Sequence, residues 1–116
     1  MTVQEVYKEL NENYGEVFYR IGNDKWIEKY LKKFANRDYL AEIKNSVLAE
    51  NWEELFKAAH TLKGLALNLG FSRLSVESDR LCECVRNGAP TLDIKPMYDA
   101  TEREYKLALE SVLKLD

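Results

Sequence analysis

Apolar positions recur along the chain at steps of three and four: Val3, Val6, Tyr7 and Leu10, then Ile27, Tyr30, Leu31 and Phe34, then Leu40, Ile43, Val47 and Leu48. That spacing puts each set on one face of a helix, and no alternating strand pattern competes with it. Turn and cap residues interrupt the pattern at Asn13-Tyr14-Gly15, Gly22-Asn23-Asp24, Asn36-Arg37-Asp38, Asn51, Gly70 and Asn87-Gly88-Ala89-Pro90-Thr91. The reading is helices near 2–13, 24–35, 38–50, 52–69, 73–87 and 94–114, with Val17, Phe18 and Ile21 on an additional short turn.

The fourth predicted helix is the best delimited. Asn51 is placed to cap its start with Glu54 reaching back, and Gly70 to close it in a left-handed conformation. Its stripe of Trp52, Leu55, Ala59, Leu62, Ala66 and Leu69 matches stripes at Phe71, Leu74, Ser78, Leu81 and Val85 and at Met97, Thr101, Tyr105, Ala108, Val112 and Leu115. Short connections make sequential helices antiparallel neighbours. The expected fold is therefore all-α, a single domain over 1–116. An up-down-up-down four-helix bundle spans about 37–115, and an N-terminal helical extension, about 1–35, packs across it.

Composition narrows the function classes. Five Gly and two Pro among 116 residues leave few places to reverse short strands. Seventeen basic against twenty acidic residues, scattered along the chain, give a net charge of −3 and no electrostatic footprint for nucleic acid. The Lys29, Lys32 and Lys33 group reads as the wet face of its helix, and the Trp and Tyr residues as core and bundle-edge packing. The longest stretch free of charged residues and His, Gly64 to Ser72, falls well short of the ~20 residues a membrane-spanning helix requires. The N-terminus lacks a basic segment followed by an apolar one, so the expected location is the cytoplasm. Cys82 and Cys84, two apart on a helix, point about 160–200° from each other and share neither a metal nor a disulfide. They read as small buried or half-buried residues. One histidine, His60, leaves no two-His zinc site.

Taking Ala59 as the centre of the core stripe, His60 lies about 100° around the helix, Leu67 about 80°, Lys63 about 40° and Gly64 about 140°. All four share one flank at the border of core and solvent. An imidazole titrating near ~6.5 offers an unprotonated ring nitrogen as a nucleophile toward phosphorus. A lysine one turn on supplies positive charge where a transferred phosphoryl spreads negative charge over its oxygens. A glycine removes a side chain that would keep a partner away, and inside a helix it costs ~1 kcal/mol relative to Ala, which calls for such a reason.

The run Ala59-His60-Thr61-Leu62-Lys63-Gly64-Leu65-Ala66-Leu67-Asn68-Leu69-Gly70-Phe71 resembles the signature of histidine-containing phosphotransfer (HPt) domains, His-x-Leu-Lys-Gly followed by a Leu-Gly turn. The resemblance implies a four-helix bundle with the phosphorylated histidine on its second helix. It makes His60 the phosphoacceptor, Lys63 the phosphoryl-stabilising cation and Gly64 the clearance position. It further implies a phosphorelay in which His60 takes phosphoryl from an aspartyl phosphate on one receiver domain and gives it to another. The partners implied are response-regulator receiver domains and a hybrid histidine kinase, and the chain is expected to act as a monomer. Two positions depart from the family pattern. Leu67 is bulky where many members carry a small residue, and is a candidate docking contact. Cys82 stands where several relatives have a Gln that orients the imidazole; Ser75, Asp79 and Arg86 on the same flank are the other candidates for that task.

No kinase Gly-rich loop, P-loop or magnesium-holding carboxylate cluster is present in the sequence, so the chain reads as a phosphoryl carrier without an ATP site and not as an enzyme. No cofactor of its own is expected, Mg²⁺ being brought by the receiver. The competing readings are an HPt-like adaptor or phosphate sink that does not relay, and a structural helical bundle in which His60 is incidental.

Overall fold

A computed structural model describes all residues, 1–116, and contains seven helices: α1 (Val3–Glu9), α2 (Tyr14–Ile21), α3 (Asp24–Ala35), α4 (Tyr39–Leu48), α5 (Trp52–Leu69), α6 (Ser72–Cys84) and α7 (Lys95–Val112). The bounds of α3 and α5 coincide with those read from the periodicity. The N-terminal region differs: the predicted 2–13 helix stops at Glu9, and the short turn around Val17 is a full helix. Local capping explains the split. Asn11 takes a left-handed φ of 54°, and the Asn13 side chain accepts from the Glu16 amide at 3.0 Å, starting α2 afresh.

Consecutive helices pack side by side, α4 on α5, α5 on α6 and α6 on α7. The extension is more than a cover. α3 lies against both α5 and α7, and α1 touches α2, α3 and α7. One continuous apolar core results, to which every helix contributes. The five inward positions of α5, Leu55, Ala59, Leu62, Ala66 and Leu69, are fully buried, while Trp52 at its first turn is only half-buried. Around Phe34 the aromatic rings of α1, α3 and α7 meet that of Phe71, which opens α6: Phe34 lies 5.4 Å from both Phe71 and Tyr105, and Tyr7 stacks on Phe71 at 6.0 Å. One aromatic expected to pack does not: Tyr19 is 92% exposed, while Val17 takes the inward position of α2. Trp26, 47% exposed, packs at the edge against Tyr30, with centroids 6.3 Å apart.

The end of α5 is fixed most strongly. Gly70 adopts φ 75° and ψ 20°, its amide reaches the Leu67 carbonyl at 3.2 Å, and the Phe71 amide reaches the Ala66 carbonyl at 2.8 Å. These two bonds form a Schellman closure, which needs a left-handed residue at Gly70. The extension adds donors at this terminus: Tyr7 donates to the Leu69 carbonyl at 2.6 Å, and the Arg20 guanidinium donates to the Asn68 carbonyl at 3.3 Å and, as a second donor beside Gly70, to the Leu67 carbonyl at 3.1 Å. At the other end Asn51 accepts from the Glu54 amide at 3.2 Å. The expected return bond from the Glu54 carboxylate is replaced by an ion pair with Lys57 at 3.7 Å.

Candidate functional site

α5 carries His60, Lys63, Gly64 and Leu67 on the flank that turns away from its buried stripe. His60 and Gly64 are exposed, Leu67 is 52% exposed, and Lys63 is half-buried. Burial grades around the helix because the flank next to the stripe is covered by α6 and the flank beyond is not. A Cβ built on Gly64 meets no atom within 4 Å, so the space beside His60 one turn along is open.

An aromatic contact positions the imidazole. Its ring lies nearly parallel to that of Phe56, with centroids 5.9 Å apart and planes 9° apart. Phe56 precedes His60 by one helical turn, so the two share a face by helix geometry alone. The Arg86 guanidinium sits over the same Phe56 ring at 5.2 Å, which ties this flank of α5 to the segment after α6.

None of the four candidates for orienting His60 from α6 and the residues after it does so by a hydrogen bond. The Cys82 thiol is buried and donates to the Phe56 carbonyl at 3.7 Å; burial also pushes its pKa up, which keeps it protonated. The Ser75 hydroxyl donates to the Ser72 carbonyl at 2.7 Å. Arg86 is tied to Glu83, its Nε donating at 2.8 Å. Asp79 binds Lys63 across the α5–α6 interface, Nζ to Oδ1 at 2.8 Å.

The electrostatics follow from these pairings. The hydrogen bond and charge of Asp79 raise the Lys63 pKa, so its ammonium is held protonated. The Arg86 guanidinium beside Glu83 holds that carboxyl below its ordinary range, with lesser contributions from Lys63 and His60. The flank therefore presents an exposed imidazole among two cations, each already engaged by a carboxylate of α6. No three His, Cys, Asp or Glu side chains are grouped to hold a metal ion.

Phe56 was missed as a site residue, although its position one turn before His60 was a usable signal. The Asp79–Lys63 pairing had none, since it depends on how α6 is rotated against α5.

The Hpt domain family model matches residues 34–113, and the chain belongs to that family. The chain matches no curated protein and no solved structure. Membership implies histidine phosphotransfer in a two-component phosphorelay, in contact with receiver or kinase partners. No helix is long and apolar enough to cross a membrane.

Proposed function

We propose that the protein is a cytoplasmic phosphoryl carrier that accepts phosphoryl on His60 from the aspartyl phosphate of a receiver domain and passes it to another. The observation that carries this reading is the exposed imidazole with open space beside it at Gly64, on a helix held at both ends. A ring nitrogen lone pair of His60 attacks phosphorus; the nitrogen–phosphorus bond forms as the acyl phosphate bond breaks, and the electron pair leaves on the receiver's carboxylate. The onward step is the reverse reaction with a second receiver. Lys63 faces the charge spread over the transferring oxygens, Phe56 restricts the imidazole plane, and Leu67 offers an apolar contact to the docked receiver. The receiver supplies Mg²⁺, and a hybrid histidine kinase supplies phosphoryl upstream.

The test is incubation with a receiver carrying radiolabelled phosphoryl, in Mg²⁺, followed by addition of a second receiver. Acid-labile label on the parent chain, none on His60→Gln, and passage to the second receiver are expected. The His60→Gln variant should melt like the parent, since an exposed residue contributes little to the core. Label that reaches His60 and goes no further would identify a sink. Label retained by His60→Gln would place the acceptor elsewhere.

A further inference from the structure

Asp79 is the feature of this flank that phosphoryl carriage by His60 does not by itself require. It sits at the edge of α6 beside α5, its side chain 42% accessible, and its one ion pair crosses to Lys63, whose side chain is 31% accessible. Glu83, one turn further along α6, is bound locally by Arg86, three residues on, and sends no ion pair to α5. From α5 the site is faced by His60, Lys63 and Phe56, and from α6 and its end by Asp79, Cys82, Glu83 and Arg86. Lys63, three residues after His60 and the cation of α5 that faces α6, is thus occupied while the imidazole is exposed.

Resting on the carrier role of His60, we infer that Asp79 is a positioning residue that sets how readily His60 gives up its phosphoryl, by competing with that phosphoryl for the Lys63 ammonium. A dianionic group on His60 draws Lys63 toward itself only by weakening the 2.8 Å bond to Asp79. The phosphorylated form is stabilised by the difference between the two partners and not by the full attraction of Lys63. The carrier is thereby kept a ready donor. The pair is accessible to water on both sides, so the effect has the size of a partly exposed ion pair, about two- to fivefold in an equilibrium.

A receiver-free measurement tests this. Phosphoramidate loads the full chain directly: the ring nitrogen of His60 bonds to phosphorus as the phosphorus–nitrogen bond of phosphoramidate breaks and ammonia leaves. The last ionisation of the bound phosphoryl is then followed by phosphorus NMR against pH. In Asp79→Asn the freed ammonium should lower the midpoint by about 0.3 to 0.7 pH, the same two- to fivefold. In a Lys63→Ala background the same substitution should move it by less than half as much. An unchanged midpoint overturns the inference, and so does an equal shift in both backgrounds, which would mean direct repulsion by Asp79. With one receiver domain and Mg²⁺ present, Asp79→Asn should also shift the label toward the chain about two- to fivefold at equilibrium; a shift toward the receiver overturns the inference. If the parent accepts no phosphoryl from phosphoramidate or receiver, the carrier role falls and this falls with it. Normal loading with an unmoved midpoint removes the Asp79 role alone.

Discussion

The two glycines of α5 and its cap sit in opposite surroundings, and substitution separates them. Gly64 has ordinary helical backbone and open space around it, so Gly64→Ala should raise stability by up to ~1 kcal/mol. Gly64→Gln should fold equally well yet slow transfer, because a long side chain then stands where a receiver approaches. Gly70 has φ 75°, and a Cβ there would collide with the Val17 side chain. Gly70→Ala should therefore cost about 1–2 kcal/mol for the backbone alone, with the collision added. Thermal melts of the three variants beside transfer rates to one receiver check the assignment. If Gly64→Gln transfers at the parental rate, the clearance role is wrong. The thiols should be unreactive for a related reason of placement. Burial pushes both the Cys82 and the Cys84 pKa up, so alkylation near neutral pH should be slow and should accelerate on unfolding. Fast labelling of the folded chain would contradict the burial.

Elements show which parts of the site could be read in advance. His60, Lys63, Gly64 and Leu67 were legible together because one helix fixes their mutual angles whatever it packs against. The Phe56 stack is of the same kind and could have been found. Asp79 was read as a candidate for orienting His60, and it binds Lys63 instead, since which of the two its carboxylate meets is decided by the rotation of α6 on α5, which no periodicity encodes. The division of the N-terminal region into α1 and α2 was obscured for a different reason. Helical spacing of apolar residues resumes after Asn13, and the break lies in the backbone turn at Asn11 and the cap at Asn13. The bonds that hold the end of α5 depend on tertiary packing, as the Asp79 pairing does, and Tyr7 provides their test. Its hydroxyl is buried and donates to the Leu69 carbonyl, and burial raises its pKa well above the ordinary tyrosine value of 10.0. Tyr7→Phe should cost about 1–2 kcal/mol near neutral pH, as Leu69 loses its partner. The sign with pH follows by linkage. The folded chain keeps the Tyr7 proton where the unfolded chain loses it, so this stability is fully present below pH 10.0 and declines above it. Denaturant midpoints of parent and variant, measured from about pH 8 to about pH 11, should converge at the alkaline end. Parallel curves would mean that Tyr7 ionises alike in both states.

The whole molecule does not divide where the family match begins. Residues 34–113 match the Hpt domain, but Val6, Tyr7, Val17, Ile27 and Leu31, all before that segment, are fully buried in the same core as Leu55 and Leu69. The extension supplies apolar cover and polar closure together. Without it the carbonyls of Leu67, Asn68 and Leu69 would lose the bonds from Arg20 and Tyr7, and Phe71 would lose its aromatic neighbour on α1. Each fully buried apolar side chain contributes about 1.5–3 kcal/mol of gross burial, against a net stability for a domain of about 5–15 kcal/mol. Removing several at once therefore consumes most of the margin, even after the entropy regained by the shorter chain. A chain starting at residue 34 should lose the sharp thermal transition expected of the full chain and show the poorly dispersed amide spectrum of a loosened core. It should also accept phosphoryl from phosphoramidate more slowly than the full chain, because the imidazole plane is set by a helix whose end is no longer held. Circular dichroism melts and amide NMR spectra of the two chains decide the matter. A fragment that melts as cooperatively and at the same temperature as the full chain would show that the bundle stands alone and that the extension is cover only.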